Sequence, residues 1–125
     1  MKDLLFVFLG GGMGSIVRFG LSRTINTSAL TAFPVATLVI NILASFVLGF
    51  FLGLLDFRNI SDNSIKLFVA VGFCGGFSTF STFSNETLVL LRSGQTILAL
   101  GYIFLSVLLC LAATFGGILL AKSIL

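Results

Sequence analysis

Residues 33–55 read FPVATLVINILASFVLGFFLGLL, a stretch without one charged side chain. A helix needs about 20 mostly apolar residues to cross the hydrocarbon core of a bilayer, and this stretch reaches that length. The only proline, Pro34, falls near its first turn, where a missing N–H costs nothing. The run is too long for a strand and does not alternate in polarity. It reads as a transmembrane helix.

Three further stretches resemble it. Leu4 to Ser22 precedes it, and Ile65 to Leu91 and Thr96 to Ala121 follow. Between them lie a polar stretch, Arg23 to Ala32, a loop, Asp56 to Ser64, and a tight turn, Arg92 to Gln95. Lys2 followed by Leu4–Leu9 imitates a signal peptide. The apolar run continues through Gly10–Val17 with no convincing cleavage site, so it is expected to be the first span. The expected fold is an all-α membrane protein, one four-helix transmembrane domain over residues 1–125, with a break in the third helix.

Composition agrees. Hydrophobic residues make up 58% and charged residues 9%, against roughly 25% charged in a soluble domain. Histidine is absent, which removes His triads and imidazole proton shuttles. Of the four acids, Asp3, Asp56 and Asp62 lie at the chain start or in a loop, leaving Glu86 inside a span. No enzyme is expected. The net charge of +3 comes from scattered residues, so nucleic acid is not an expected partner. Cys74 and Cys110 sit in apolar segments and read as buried thiols.

Four spans put both termini on one side. That side carries Lys2, Arg58, Lys66 and Lys122. The other carries Arg23 and Arg92, with Arg18 if it reaches the interface. Such a weak bias fits either one poorly signalled orientation or insertion both ways round, after which two opposed copies can pair.

Polar and small residues recur every fourth position. Thr37, Asn41, Ser45, Gly49 and Gly53 share one face of span two, and Tyr102, Ser106, Cys110 and Thr114 one face of span four. Gly10/Gly14, Gly49/Gly53 and Gly72/Gly76 are GxxxG pairs, which let helix backbones meet. These stripes either pack helices or line a path. Asn41 and Arg18, costly in hydrocarbon, point to a pathway or an internal partner.

Residues 72–84 read GFCGGFSTFSTFS. Glycine weakens a helix, and Ser and Thr compete for its backbone partners. A break near Gly75–Ser78 is expected, and exposed carbonyls there can hold a cation. Phe80 and Phe83 share a face, and aromatic ring edges carry partial positive charge. With Ser81, Thr82 and Asn41 they can replace water around a small anion. The alternative is ordinary core packing.

The run Gly75 to Ser84, together with Gly10–Gly14 followed by Arg18 and with Thr37 to Asn41, closely resembles the signature motifs of the Fluc fluoride channels, also called CrcB. The likeness covers essentially the whole chain. It implies an antiparallel, dual-topology homodimer with two pores in the bacterial cytoplasmic (inner) membrane, passing fluoride passively. It implies pore roles for Phe80, Phe83 and Asn41, and a polar track including Tyr102 and Ser106. It also implies a structural Na⁺ on the dimer axis, held by carbonyls of Gly75 and Ser78. Ser78 stands where many members are expected to carry Thr. The roles of Arg18 and Glu86 stay open between structure and the aqueous mouth. The rival reading is a small multidrug or guanidinium exporter of similar size. Such exporters need a carboxylate inside the first span, and span one has none.

Overall fold

A computed structural model describes residues 1–28 and 31–125. Outside short connectors the described chain is helical, and four of its helical stretches are long and apolar enough to cross a membrane. Helix α1 is Lys2–Ser28, and α2 is Val35–Phe57. The third span has two pieces, α3 over residues 63–77 and α4 over Phe80–Arg92. Helix α5 is Thr96–Ser123.

Span one is longer than its apolar run. The helix continues beyond Ser22 to Ser28, taking in most of the expected polar stretch; Ala29 and Leu30 of that stretch lie outside the described residues. Polar groups there bond along the helix, Thr24 Oγ1 donating to Gly20 O at 3.0 Å and Asn26 Nδ2 to Ser22 Oγ at 3.4 Å. A hydrophobic run therefore marks where a helix meets lipid, not where it ends.

The helices pack in two interleaved pairs. Helix α1 lies along α3, and α2 lies along α5. Glycine makes both contacts close. A Cβ at Gly10 or Gly14 would collide with the carbonyl of Phe68 or Phe73. One at Gly49 would strike the Thr114 carbonyl, and one at Gly117 the Phe46 carbonyl. All three sequence GxxxG pairs sit at these contacts. Two small cores join the pairs. One gathers Ile40, Ala44 and Phe77, with Phe73 and Leu21 against it. The other gathers Leu90, Ala99 and Tyr102, with Phe33, Leu38 and Phe83. Much of the remaining apolar surface faces outward, including Phe8, Ile16 and Phe19 of α1 and Ile97, Phe104, Leu111 and Phe115 of α5. In a bilayer such faces suit lipid.

Helix α3 opens on Asp62, whose carboxylate accepts from Ser64 N at 2.8 Å, an N-cap. From Leu67 to Cys74 it widens into a π-helix, which nothing in the residue pattern announced. It then stops. Ser78 (ψ 160°) and Thr79 (φ −151°, ψ 119°) are extended, and α4 begins at Phe80. The break thus lies at the far edge of the expected window and one residue past it. Gly75 remains helical (φ −65°, ψ −37°). Gly76 serves closeness instead: a Cβ there would strike the Gly11 carbonyl, whereas one at Gly75 would meet nothing within 4 Å. Hydroxyls make the break, as the bonds around Thr79 show.

Candidate functional site

At the break, side-chain hydroxyls and one amide take up much of the freed backbone. Ser78 N and Ser78 Oγ both donate to Cys74 O, at 2.9 and 2.8 Å, closing the last turn of α3. Thr79 caps α4, its Oγ1 accepting from Thr82 N at 3.2 Å and donating to Thr82 Oγ1 at 3.0 Å. Helix α2 reaches across to the same residue. Asn41 Nδ2 donates to Thr79 O at 3.2 Å, and Asn41 Oδ1 accepts from Thr79 N at 2.9 Å. Unwound backbone at membrane depth is tolerated only when protein satisfies it, and Asn41 does so at both ends of one residue. Of its two N–H groups one is used here; the other has no partner among the described residues.

Asn41 also lines a cleft of about 270 Å³, with Ser45, Ser78, Thr79, Phe80, Phe83, Ser106, Val107 and Cys110. None of these side chains is charged. Ser106 is 7% exposed, and its Oγ is the one buried side-chain polar atom without a partner among the described residues. An unpaired buried hydroxyl costs about 1–3 kcal/mol, so it favours an acceptor inside the cleft. Phe80 and Phe83 stand on the same wall, centroids 5.5 Å apart and tilted by 42°. Phe80 is 78% exposed, so one chain supplies only one side of the path past it.

The aromatic line continues inward. Phe83 lies 5.0 Å from Tyr102, and Tyr102 meets Phe33 edge-on at 5.5 Å. Tyr102 is completely buried. Its hydroxyl donates to Glu86 Oε2 at 2.7 Å, and Thr37 Oγ1 donates to Glu86 Oε1 at 2.7 Å. Both oxygens of the membrane-embedded carboxylate are thereby engaged by hydroxyls, behind the Phe83 ring.

On the other side of the break, Arg18 Nε donates to Gly76 O at 3.1 Å, and Ser15 Oγ approaches the same oxygen at 3.5 Å. Arg18 borders two hollows. One, about 340 Å³, is lined by Ser15, Gly75, Gly76, Ser78, Thr79, Phe80 and Ser81 besides Arg18. The other, about 190 Å³, holds Thr37, Thr79 and Thr82.

The sequence candidates therefore fall into three neighbouring groups. Asn41, Phe80, Phe83 and Ser106 share the cleft. Thr37, Tyr102 and Glu86 form the hydroxyl–carboxylate cluster. Arg18, Gly75, Ser78 and Ser81 line the polar hollow, while Thr82 bridges through Thr79. Thr79 itself had been given no role, although it is the hub. A Thr directly before an amphipathic stretch is the N-cap signal that marks it.

The cleft can strip water from a small anion, offering hydroxyl and amide donors and electropositive ring edges in place of hydration. Its lining carries no acid–base pair for bond cleavage. Compared with known proteins, the chain matches the family model described as CrcB-like protein, Camphor Resistance (CrcB), over residues 5–118. It is 44% identical over 124 residues to a Flavobacterium psychrophilum protein, covering 99% of this chain and 100% of that one. It is 42% identical over 122 residues to one from Pyrococcus furiosus, covering 98% of both chains, and 42% identical to one from Bacteroides fragilis, covering 94% of both. Each of these relatives is named a fluoride-specific ion channel, FluC.

Proposed function

This chain belongs to the CrcB family, and from that membership we propose that it is a passive fluoride channel, working as an antiparallel dual-topology homodimer with two pores. The relatives' name supplies the ion, and its activity is conduction, not catalysis. One observation carries the reading to this molecule. The cleft is lined by Ser106, whose buried hydroxyl has no partner among the described residues, together with Asn41, Phe80 and Phe83, and its lining has no fixed charge to trap an anion. Fluoride is small and strongly hydrated, so the donors must close around it. Chloride is too large to draw them equally near.

In the proposed path, Arg18 holds the end of α3 beside the polar hollow. Asn41 then offers its spare N–H at the break. Phe80 and Phe83 replace water on the flanks, and Ser106, Ser81 and Thr82 offer hydroxyls on either side. Tyr102, Thr37 and Glu86 anchor the base of the aromatic line. A second copy supplies the wall missing opposite Phe80, and opposed orientations fit the balanced Lys and Arg distribution. We assign the protein to the bacterial cytoplasmic membrane on the family likeness.

A structural Na⁺ belongs to the same proposal, and its donor set fits in kind. Gly75 and Ser78 line one open hollow with Ala44, Ser45, Leu48, Ala70 and Cys74, and a Cβ at Gly75 meets nothing within 4 Å. Neutral carbonyls suit a hard monovalent cation. When bound, the ion would supply a positive centre held by the Gly75 and Ser78 carbonyls.

The deciding experiment is efflux from liposomes loaded in turn with fluoride, chloride and a guanidinium ion. The expected result is rapid fluoride loss with the other two near background. Guanidinium transport without fluoride loss would favour the exporter reading. Exchange of Na⁺ for a large organic cation should loosen the dimer on gel filtration.

A further inference from the structure

Away from the break, the turn between α2 and α3 folds back on the helix end. Arg58 N donates to Leu54 O at 3.1 Å, Asn59 N to Asp56 O at 3.2 Å and Ile60 N to Leu55 O at 2.9 Å. Asn59 takes the left-handed conformation (φ 52°) that this reversal needs, one that Asn tolerates. Beneath it is a cavity of about 460 Å³, larger than the cleft. Leu52, Leu55, Phe57, Ile60 and Ile118 give it an apolar wall, and Asp56 and Lys66 give it one negative and one positive charge. These two charges do not pair with each other, and neither side chain has another partner among the described residues.

The cavity sits where α2 ends, α3 begins and α5 nears its last turn. That is headgroup depth, with acyl chains beside the apolar wall. We propose that it binds the headgroup of a zwitterionic phospholipid with a primary ammonium, of the phosphatidylethanolamine kind. Lys66 meets the phosphodiester, Asp56 accepts from the ammonium, and Asn59 and Ser61 offer further polar contacts at the rim. An anionic headgroup satisfies Lys66 but is repelled by Asp56. A choline headgroup carries the same charges, yet its methylated nitrogen has no N–H to donate. The inference does not depend on fluoride conduction.

The test is native mass spectrometry of the intact protein in detergent with added phosphatidylethanolamine, phosphatidylcholine or phosphatidylglycerol of identical chains. Parent protein should retain the ethanolamine lipid at least about fivefold better than the others, and Lys66→Gln or Asp56→Asn should each cut that retention about fivefold. Asp56→Asn should also shift preference towards phosphatidylglycerol. Arg58→Gln, on the same turn but outside the cavity lining, should change neither. All three should match the parent in gel-filtration profile and melting temperature, showing that they fold; if one cavity variant does not, the other decides. Equal retention of choline lipid, preference of the parent for the anionic lipid, or an Arg58→Gln effect as large as that of Lys66→Gln would overturn the proposal. So would equally good competition by soluble glycerophosphoethanolamine, which would point to a solute and not a membrane lipid.

Discussion

Asn41 has one amide oxygen and two N–H groups, and Thr79 takes the oxygen and one N–H. The side chain therefore splints the break with one N–H left over. Asn41→Asp replaces the donor facing Thr79 O with a second oxygen and sets negative charge in the anion's path. Phe80→Ile keeps bulk but removes the ring edge. Each should slow fluoride efflux from liposomes by more than about tenfold, the effect of losing about 1–3 kcal/mol at one contact. Phe80→Met should be milder, since a polarisable thioether partly substitutes. Parental efflux from folded Asn41→Asp and Phe80→Ile would reduce the aromatic line to core packing. Ser106 separates function from folding more cleanly. Its hydroxyl has no partner among the described residues, so Ser106→Ala should leave the melting temperature unchanged or slightly higher while lowering efflux. A loss of stability would mean that the hydroxyl serves the fold. That Phe80 and Phe83 stand side by side was legible from their three-residue spacing, and that Asn41 finds an internal partner from its depth. The bond linking Asn41 to Thr79 spans two helices, and one sequence holds no trace of which backbone group a mid-membrane amide will find.

At the scale of the helix, glycine stands for two different things. At Gly117 a Cβ would meet the Phe46 carbonyl, whereas at Gly116 it would meet nothing within 4 Å. Gly117→Ala should cost about 1–3 kcal/mol of stability as overpacking. Gly116→Ala should gain up to about 1 kcal/mol by stiffening the helix. Thermal melts of the two variants in one detergent make the comparison, and equal melts would mean α2 and α5 do not touch here. Arg18 acts at the end of α3 through one N–H on Gly76 O. Lysine has no planar fork to keep that contact while leaving donors over for the hollow. Arg18→Lys should therefore lower the yield of folded dimer more than the efflux per folded dimer, and the reverse pattern would assign it to attracting anions. The four spans were legible because lipid demands long apolar runs, and the break because hydroxyls and glycines gather there. Its placement at Ser78 and Thr79, and the π-helical stretch Leu67–Cys74, were not. The break is held in part by bonds from α2 to Thr79, which exist only once the helices have met, and no residue type in the apolar run marks the π-helix.

For the whole molecule, orientation rests on a handful of cations. Two or three lysines added to the turn between α2 and α3 should fix one orientation and abolish efflux, and a co-expressed partner biased the other way should restore it. Full activity from a single forced orientation would remove the antiparallel dimer. The pairing of the spans carries a separate consequence. Because α1 clasps α3 and α2 clasps α5, no span has its close partner next to it in the chain. A ribosome making this protein releases α1 and α2 before either can be clasped. The first must wait in lipid until the glycines after Leu67 emerge, and the second until α5 is complete. Assembly then closes late, almost as one event. Until then the polar stripe of α2 lies open to whatever helices share the membrane, so the interval between the second span and the fourth is when a newly made chain is most vulnerable to mispairing.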